Sequence, residues 1–405
     1  MLNRYFKIAI ISTTLALVNL IGCSDVKFRS TPQYELIPNC TEQDIDGALG
    51  NRCVLGNNIR IGSVDILFVD DNSGSMSFEQ KRMADSFSNL IATLDDLNVD
   101  YNIAVTTTDI SSPSNPPDAQ NLNGALQDGK FIEFPGVGPV LNKSWGTAAE
   151  RSAKFAEVIQ RNETKVCEDS GFTTCPSGDE RGIYAINKVL DTANPAFFRG
   201  NSLFAVVVLS DEDVRSDGGR SDSLARALTD FDQPESVVSR LGTTLGLDKT
   251  MAVYSFIVEP GDFTCKALQD DQGRLLGNEA IEGYYGVQYA RLSQPDDELK
   301  ALGNIIEGKT VSICSSDYGS KLSDIGRKIS TDSLNVQLPC EPEDPSVGLQ
   351  EGFDPIQIRV QTPSGVVLTD LDFNVDENNI LRFVDQVEAG SDISYSVVCK
   401  RITQR

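Results

Sequence analysis

Asp71, Ser73 and Ser75 are the residues whose types and spacing most directly suggest chemistry. They occupy alternate positions in the stretch Val64–Met76, which reads VDILFVDDNSGSM. One carboxylate and two hydroxyls offer hard oxygen donors, which suit Mg²⁺, Ca²⁺ or Mn²⁺ rather than a thiolate-seeking ion. A second acidic group, Ser210-Asp211-Glu212-Asp213, follows another apolar run, and a third, Asp179-Glu180, stands between glycines at 178 and 182. The 405 residues include no histidine. That removes His-based acid–base catalysis, Ser-His-Asp triads and H-E-x-x-H zinc sites together.

Strands must deliver these groups. Ile61–Val69, with Ile66-Leu67-Phe68-Val69 at its centre, reads as a strand buried on both faces, and Ser202–Leu209 and Met251–Val258 read alike. Asp100–Thr108 adds a strand rich in β-branched residues. Between the first two lies a helix from Ser77, where Ser77 and Gln80 suggest a capping box, with Met83, Phe87, Leu90, Ile91, Leu94 and Leu97 as its buried stripe. Further helices are expected at Ala148–Arg161, Asp179–Leu190 with Asp179 at its N-cap, near Asp222–Leu228, at Glu235–Leu245 and at Tyr318–Ile329. Alternating strands and helices define an α/β fold with a doubly wound, mostly parallel sheet. Ligands of such sheets bind outside the carboxyl ends of the strands, where Asp71 and Asp211 emerge.

The spacing D-x-S-x-S, placed at the end of a buried strand, resembles the metal-ion-dependent adhesion site (MIDAS) of von Willebrand factor A (vWA) domains. The resemblance covers residues 61–330. It implies a cation held by two serines, a threonine and two aspartates. Asp71, Ser73 and Ser75 match the first three positions, and Asp211 matches the second aspartate. The threonine position departs from the pattern. Aligning Gly182 and Ile183 with the family's helix start places Asp179 or Glu180 there, while Thr173 and Thr174 lie further back. Glu180 is expected to face the ion and Asp179 to cap the helix, with Asp179 as the alternative ligand. Three carboxylates around a doubly charged ion would retain it and weaken its pull on a partner's carboxylate. Glu212 and Asp213 read as solvated loop carboxylates or outer acceptors.

The N-terminus reads as a targeting segment. Arg4 and Lys7 precede the apolar run Ile8–Leu20, and Leu20-Ile21-Gly22-Cys23 resembles a bacterial lipobox. The resemblance implies a signal peptide over 1–22, lipid on Cys23, and membrane attachment through that lipid. Ser24 after the cysteine points to the outer membrane. Residues 23–60 read as a tether with a small disulfide-pinned segment. Beyond Cys23, eight cysteines remain, an even number suited to an oxidising compartment. Sequence leaves their connectivity open; order and spacing suggest Cys40–Cys53, Cys167–Cys175, Cys265–Cys314 and Cys340–Cys399. Residues 339–405 alternate apolar and polar positions around a turn at Asn378-Asn379, and read as a small all-β, sandwich-like module.

A formal net charge of −24 leaves no basic stripe, so nucleic acid is not an expected partner. The functional expectation is a non-catalytic envelope lipoprotein whose metal edge meets a protein partner or mediates adhesion. The long segments Asp109–Trp145, with a short hairpin near Lys130–Phe134, and Gly261–Asp297 would supply specificity. The alternatives are a metal-containing structural scaffold and a hydrolase holding two ions on Asp71, Glu180, Asp211 and Asp213. Against the hydrolase stand the missing histidines and the lack of a spare positioned base.

Overall fold

Strand formation around Ile66–Val69 follows from the need to cover both faces of one apolar run. Val64, Ile66 and Phe68 point into one core cluster, and Leu67 and Val69 point into another. The structure, a computed structural model, describes residues 41–43, 52–111, 126–171, 174–176, 179–200, 202–215, 227–246, 249–269, 285–338, 340–344, 354–376 and 379–400. In chain order the elements are β1 (Thr41–Gln43), β2 (Arg52–Arg60), β3 (Ser63–Asp70), α1 (Ser77–Asp96), β4 (Asp100–Thr107), β5 (Leu141–Asn142), α2 (Ala148–Ile159), α3 (Asn162–Asp169) and α4 (Gly182–Thr192). There follow β6 (Leu203–Leu209), α5 (Pro234–Leu245), β7 (Met251–Ile257), α6 (Phe263–Gln269), α7 (Val287–Ser293), α8 (Asp297–Lys300), β8 (Ile305–Ser312) and α9 (Tyr318–Asp332). The chain closes with β9 (Val336–Gln337), β10 (Ile356–Gln361), β11 (Val367–Leu368), β12 (Phe373–Val375), β13 (Ile380–Phe383) and β14 (Asp392–Val398).

The main sheet runs β5-β4-β3-β6-β7-β8, parallel throughout except for β5. Helices α1, α2 and α9 cover one face, and α4, α5 and α7 cover the other. On the first face Phe87 stacks on Phe155 and both pack edge-on against Phe68. Within this sheet the path enters at β3, winds outward through β4, then returns to β6 on the other side of β3. The winding therefore reverses between β3 and β6, and the crevice at their carboxyl ends is the place where such sheets bind ligands. The α/β fold and the small C-terminal all-β module are as the sequence predicts.

Four local expectations are corrected. The segment read as tether contains β2, which pairs antiparallel with β14 from Arg60↔Asp392 to Val54↔Val398. The C-terminal module is thus completed by a strand that precedes the α/β domain. Its polar, glycine-containing composition suits a tether, but an open neighbouring strand overrides that preference. Helix α4 starts at Gly182, not Asp179, and its N-cap is Arg181. Ser77 does not cap α1; its hydroxyl goes to Glu168, and Gln80 turns instead toward the sheet edge. Between the helices expected at Ala148–Arg161 and Asp179–Leu190, where no further element is expected, α3 forms and buries Glu163 and Thr164. Between Asp109 and Trp145, Phe134 bridges Gly138 in a short hairpin, and Leu141–Asn142 forms β5.

The module holds one five-stranded sheet, β1-β2-β14-β10-β11, and one three-stranded sheet, β12-β13-β9. It adjoins the start of β3: Ile61 N–H donates to Ser391 O, Gly62 N–H to Ser333 O, and Gly390 N–H to Ile61 O. Disulfides join Cys167 to Cys175, Cys265 to Cys314 and Cys340 to Cys399. Residues 1–23, Cys40 with its expected bond to Cys53, Asp222–Arg226 and Asn378 lie outside the described residues. No described helix is long and apolar enough to cross a membrane.

Gly62 joins the two parts at a φ of +75°, and a Cβ there would stand 2.3 Å from the Ala389 Cβ. Gly62→Ala combines left-handed strain with overpacking and should cost about 2–4 kcal/mol. A fall in the thermal unfolding midpoint checks this; an unchanged midpoint contradicts it.

Candidate metal centre

Each acidic group at the sheet edge is placed by backbone bonds that continue the strands. Asp71 N–H donates to Leu209 O, which ties the end of β3 to the end of β6 (2.9 Å). Ser73 N–H donates to Asp71 Oδ1 (2.9 Å), so the loop folds back on its own carboxylate. The Ser73 and Ser75 hydroxyls lie 3.0 Å apart, and Ser75 Oγ donates to Asp211 Oδ1 at 3.1 Å. Residues 136 apart in the chain therefore share one site. Ser210 Oγ donates to Asp71 Oδ2 at 2.7 Å and orients the carboxylate from the β6 side.

Glu180 is held between two fixed neighbours. Arg181 N–H donates to Thr108 O at the end of β4, and Glu180 O accepts from Arg215 N–H. The flanking charges are engaged elsewhere. Asp179 forms a paired contact with the Arg215 guanidinium (3.1 Å on each oxygen), and Arg181 does the same with Asp232 (2.9 and 2.8 Å). Asp179 therefore does not cap α4, and its carboxylate is engaged by Arg215. All three are buried, but among the described residues Glu180 has no such arginine or carboxylate partner and lies close enough to Asp71, Asp211 and Glu212 to feel their charge. Glu180 is 2 % exposed, and its Oε2 has no hydrogen-bond partner.

Burial pushes the Glu180 carboxyl well above its ordinary value, and Glu212, Asp71 and Asp211 push it further. Burial also raises Asp71, against hydrogen bonds from Ser210 and Ser73 that pull it down. Glu212 and Asp213 are buried as well, which overturns the reading as solvated loop carboxylates and leaves the alternative of outer acceptors open. Asp213 Oδ1 accepts from Gln288 N–H at the start of α7 (3.0 Å), and burial raises its carboxyl to about 7. The reason for the correction is positional. Residues after β6 fall into the crevice between α4 and α7 instead of on an outer loop.

A further set of side chains supports this edge. Gln80 Nε2 donates to Asp71 O (2.9 Å), Asp70 Oδ2 (3.2 Å) and Thr164 Oγ1 (3.2 Å). Thr164 Oγ1 donates to Asn72 O, and Asn72 Nδ2 donates to Asp109 Oδ2 (2.9 Å). Sequence reasoning missed Ser210, Gln80, Asn72 and Thr164. Ser210 was findable from its place beside Asp211. Thr164 carries no local signal, because α3 reaches the site only through tertiary packing.

Every candidate donor is oxygen: Asp71, Ser73, Ser75, Glu180 and Asp211. Oxygens bound to Mg²⁺ at right angles stand about 3 Å apart. The Ser73–Ser75 and Ser75–Asp211 separations of 3.0 and 3.1 Å match that spacing. The partnerless Glu180 oxygen is a buried polar atom that a cation would satisfy. Among the described residues, no three acidic or cysteine side chains by themselves converge closely enough to hold an ion. An ion held here would therefore need the serine hydroxyls as well as the carboxylates.

No family model and no curated protein matches the chain. Similar solved structures include a von Willebrand factor type A protein from Catenulispora acidiphila, at 12 % identity over 92 % of this chain and 68 % of that one, TM-score 0.32. The pilus adhesin SpaC of Lactobacillus rhamnosus GG is similar at 9 % identity over 89 % of this chain and 42 % of that one, TM-score 0.32. Proximal thread matrix protein 1 from the mussel byssus, with a zinc-occupied MIDAS motif, is similar at 11 % identity over 69 % and 50 %, TM-score 0.31. The chain spans under half the length of the pilus adhesin. The α/β assignment stands on strand order and register, not on these overlaps.

A carboxyl raised on folding favours the folded state while it is protonated. For Asp213 that contribution is present in full below about pH 4 and is lost as pH rises through about 7. Thermal unfolding of the metal-free protein should therefore show a Tm that falls from pH 5 to pH 8. Asp213→Asn should flatten the fall; a Tm that rises over this interval contradicts the assignment.

Proposed function

We propose that residues 61–330 form a vWA-type domain that binds a divalent cation, Mg²⁺ first with Ca²⁺ or Mn²⁺ as substitutes, and presents that edge to a protein partner. The partnerless Glu180 oxygen, buried beside Asp71 and Asp211, carries this reading. Asp71, Ser73, Ser75, Glu180 and Asp211 would hold the ion. The ion would neutralise carboxylates that otherwise repel one another in a water-poor crevice. Glu180 would occupy the place that a partner's acidic group would take if threonine stood there. On this reading the domain acts by binding a partner.

The rim offers apolar contact surface. Phe78, on the first turn of α1, is 50 % exposed, and Phe263, at the start of α6, is 76 % exposed. Glu79 beside Phe78 accepts from Gln269 of α6 (3.3 Å), which holds the two segments together. The Cys265–Cys314 disulfide fixes α6 to the end of β8. Large exposed aromatics next to a charged site are typical anchors for a protein partner. The reading includes a lipid on Cys23 and residence in the cell envelope at the outer membrane. Its support is the sequence of residues 1–23.

Mg²⁺ should raise the Tm of the purified protein, by an amount equivalent to about 2.7 kcal/mol at a hundredfold excess over Kd. Asp71→Ala should abolish that shift. Glu180→Thr should weaken Mg²⁺ binding about tenfold, because it removes one carboxylate, and should raise affinity for an acidic partner peptide. Titration calorimetry reads the first effect. Unchanged or tighter Mg²⁺ binding in Glu180→Thr contradicts the role given to Glu180.

A further inference from the structure

Among the described residues, the C-terminal module carries an open seam. Strand β10 pairs along its whole length with β14, but on its other side β11 covers only Val360 and Gln361. Along Ile356–Arg359 that side has no neighbouring strand among the described residues. In the second sheet, β12 pairs with β13 and leaves its own outer side without a strand among the described residues. A cleft of about 1170 Å³ separates the two edges, and both contribute to its walls. Its floor is apolar. Ile356, Ile358, Leu371, Phe373 and Val375 pack against the module core with one side each still open.

The rim is acidic. Seven Asp and Glu residues line the cleft against one lysine, Lys400, whose ammonium already meets Glu341 at 2.6 Å. A strand edge without a neighbour offers backbone donors and acceptors to an added strand, and apolar positions below it take alternate side chains. The charge selects among occupants. A second copy of this chain, docking by the same seam, would bring its own seven carboxylates against these. An acidic or neutral strand gains nothing from the rim. A basic one gains from the net negative rim, most directly at the exposed Asp354, Asp370 and Asp372, since Glu341 and Asp376 already meet Lys400 and Arg382.

We propose that this cleft binds an extended basic segment of a partner protein, in which lysine or arginine alternates with apolar residues, as a strand added beside β10. The apolar side chains fill the floor over Ile356, Ile358 and Phe373, and the basic ones face the rim. This interaction lies outside the metal edge and needs no divalent ion.

The test uses the purified full chain in chelator and a fluorescent seven-residue peptide that alternates lysine with valine, read by fluorescence polarisation. Three companions accompany it: the same peptide with glutamate for lysine, the lysine peptide N-methylated at alternate residues, and the double variant Asp354→Lys/Asp370→Lys. Asp354 and Asp370 are both exposed, so the variant should keep the fold, checked by its Tm. The proposal expects saturable binding of the lysine peptide, at least tenfold weaker binding of the glutamate and N-methylated peptides, and at least tenfold weaker binding to the double variant. Equal binding of the N-methylated peptide would reduce the contact to charge alone and overturn strand addition. No binding of the lysine peptide, or a concentration-dependent dimer that the peptide does not disperse, would overturn the proposal. Because the assay contains no metal, its failure leaves the reading of the sheet edge untouched, and the reverse holds.

Discussion

Like charges held together out of water set the terms for the upper edge of this molecule. Asp70, Asp71, Glu180, Asp211, Glu212 and Asp213 are all buried where β3 and β6 end. Each carboxylate there loses its hydration and faces its neighbours in a medium that screens poorly. Arg161 offsets part of this at Asp70, but two other nearby guanidinium groups are drawn off. Arg181 is committed to Asp232 and Arg215 to Asp179. Hydroxyls and backbone N–H groups take part of the load: Ser210 and Ser73 on Asp71, Ser75 on Asp211, Gln288 on Asp213. Among the described residues they leave one oxygen each of Asp70 and Glu180 buried without a hydrogen-bond partner.

The opposite end of the same sheet solves the burial of charge in another way. Asp65, near the start of β3, is fully buried and accepts from Arg199, Ser202 and Lys249 together. Opposite charges in contact make a closed, self-sufficient cluster there, which ties the beginnings of β3, β6 and β7. The C-terminal module sits at this closed end, bonded to Ile61 and Gly62. The chain passes between the two parts twice, from β2 into β3 and from α9 into β9. The α/β domain is therefore set within the module's strands. Its acidic edge, at the far end of β3, faces away from the module.

The sequence made much of this legible. Continuous apolar runs marked β3, β6 and β7 as central strands, because a strand covered on both faces has no polar side to show. The stripe in α1 and the change to alternating residues after 339 were equally plain. Less legible were features that depend on a distant partner. Arg52–Arg60 reads as turn-rich, and only the free edge of β14 makes it a strand. Asp179 has the composition of a helix cap, yet Arg215 claims it from thirty-six positions away. Glu212 and Asp213 look like loop carboxylates until α4 and α7 close over them.

Chemistry at the edge was thus determined by the chain itself: a D-x-S-x-S run after one buried strand and an aspartate after another can only present oxygen donors. Spacing along the chain carries that information because a strand end and its following turn are local structure. Tertiary structure alone decided which carboxylates share the crevice, which are drawn off by arginines, and that Glu180 is left without such a partner. Those outcomes depend on the reversal of winding between β3 and β6 and on the helices packed around it. Both bring together residues more than a hundred positions apart, a relation that no local pattern encodes.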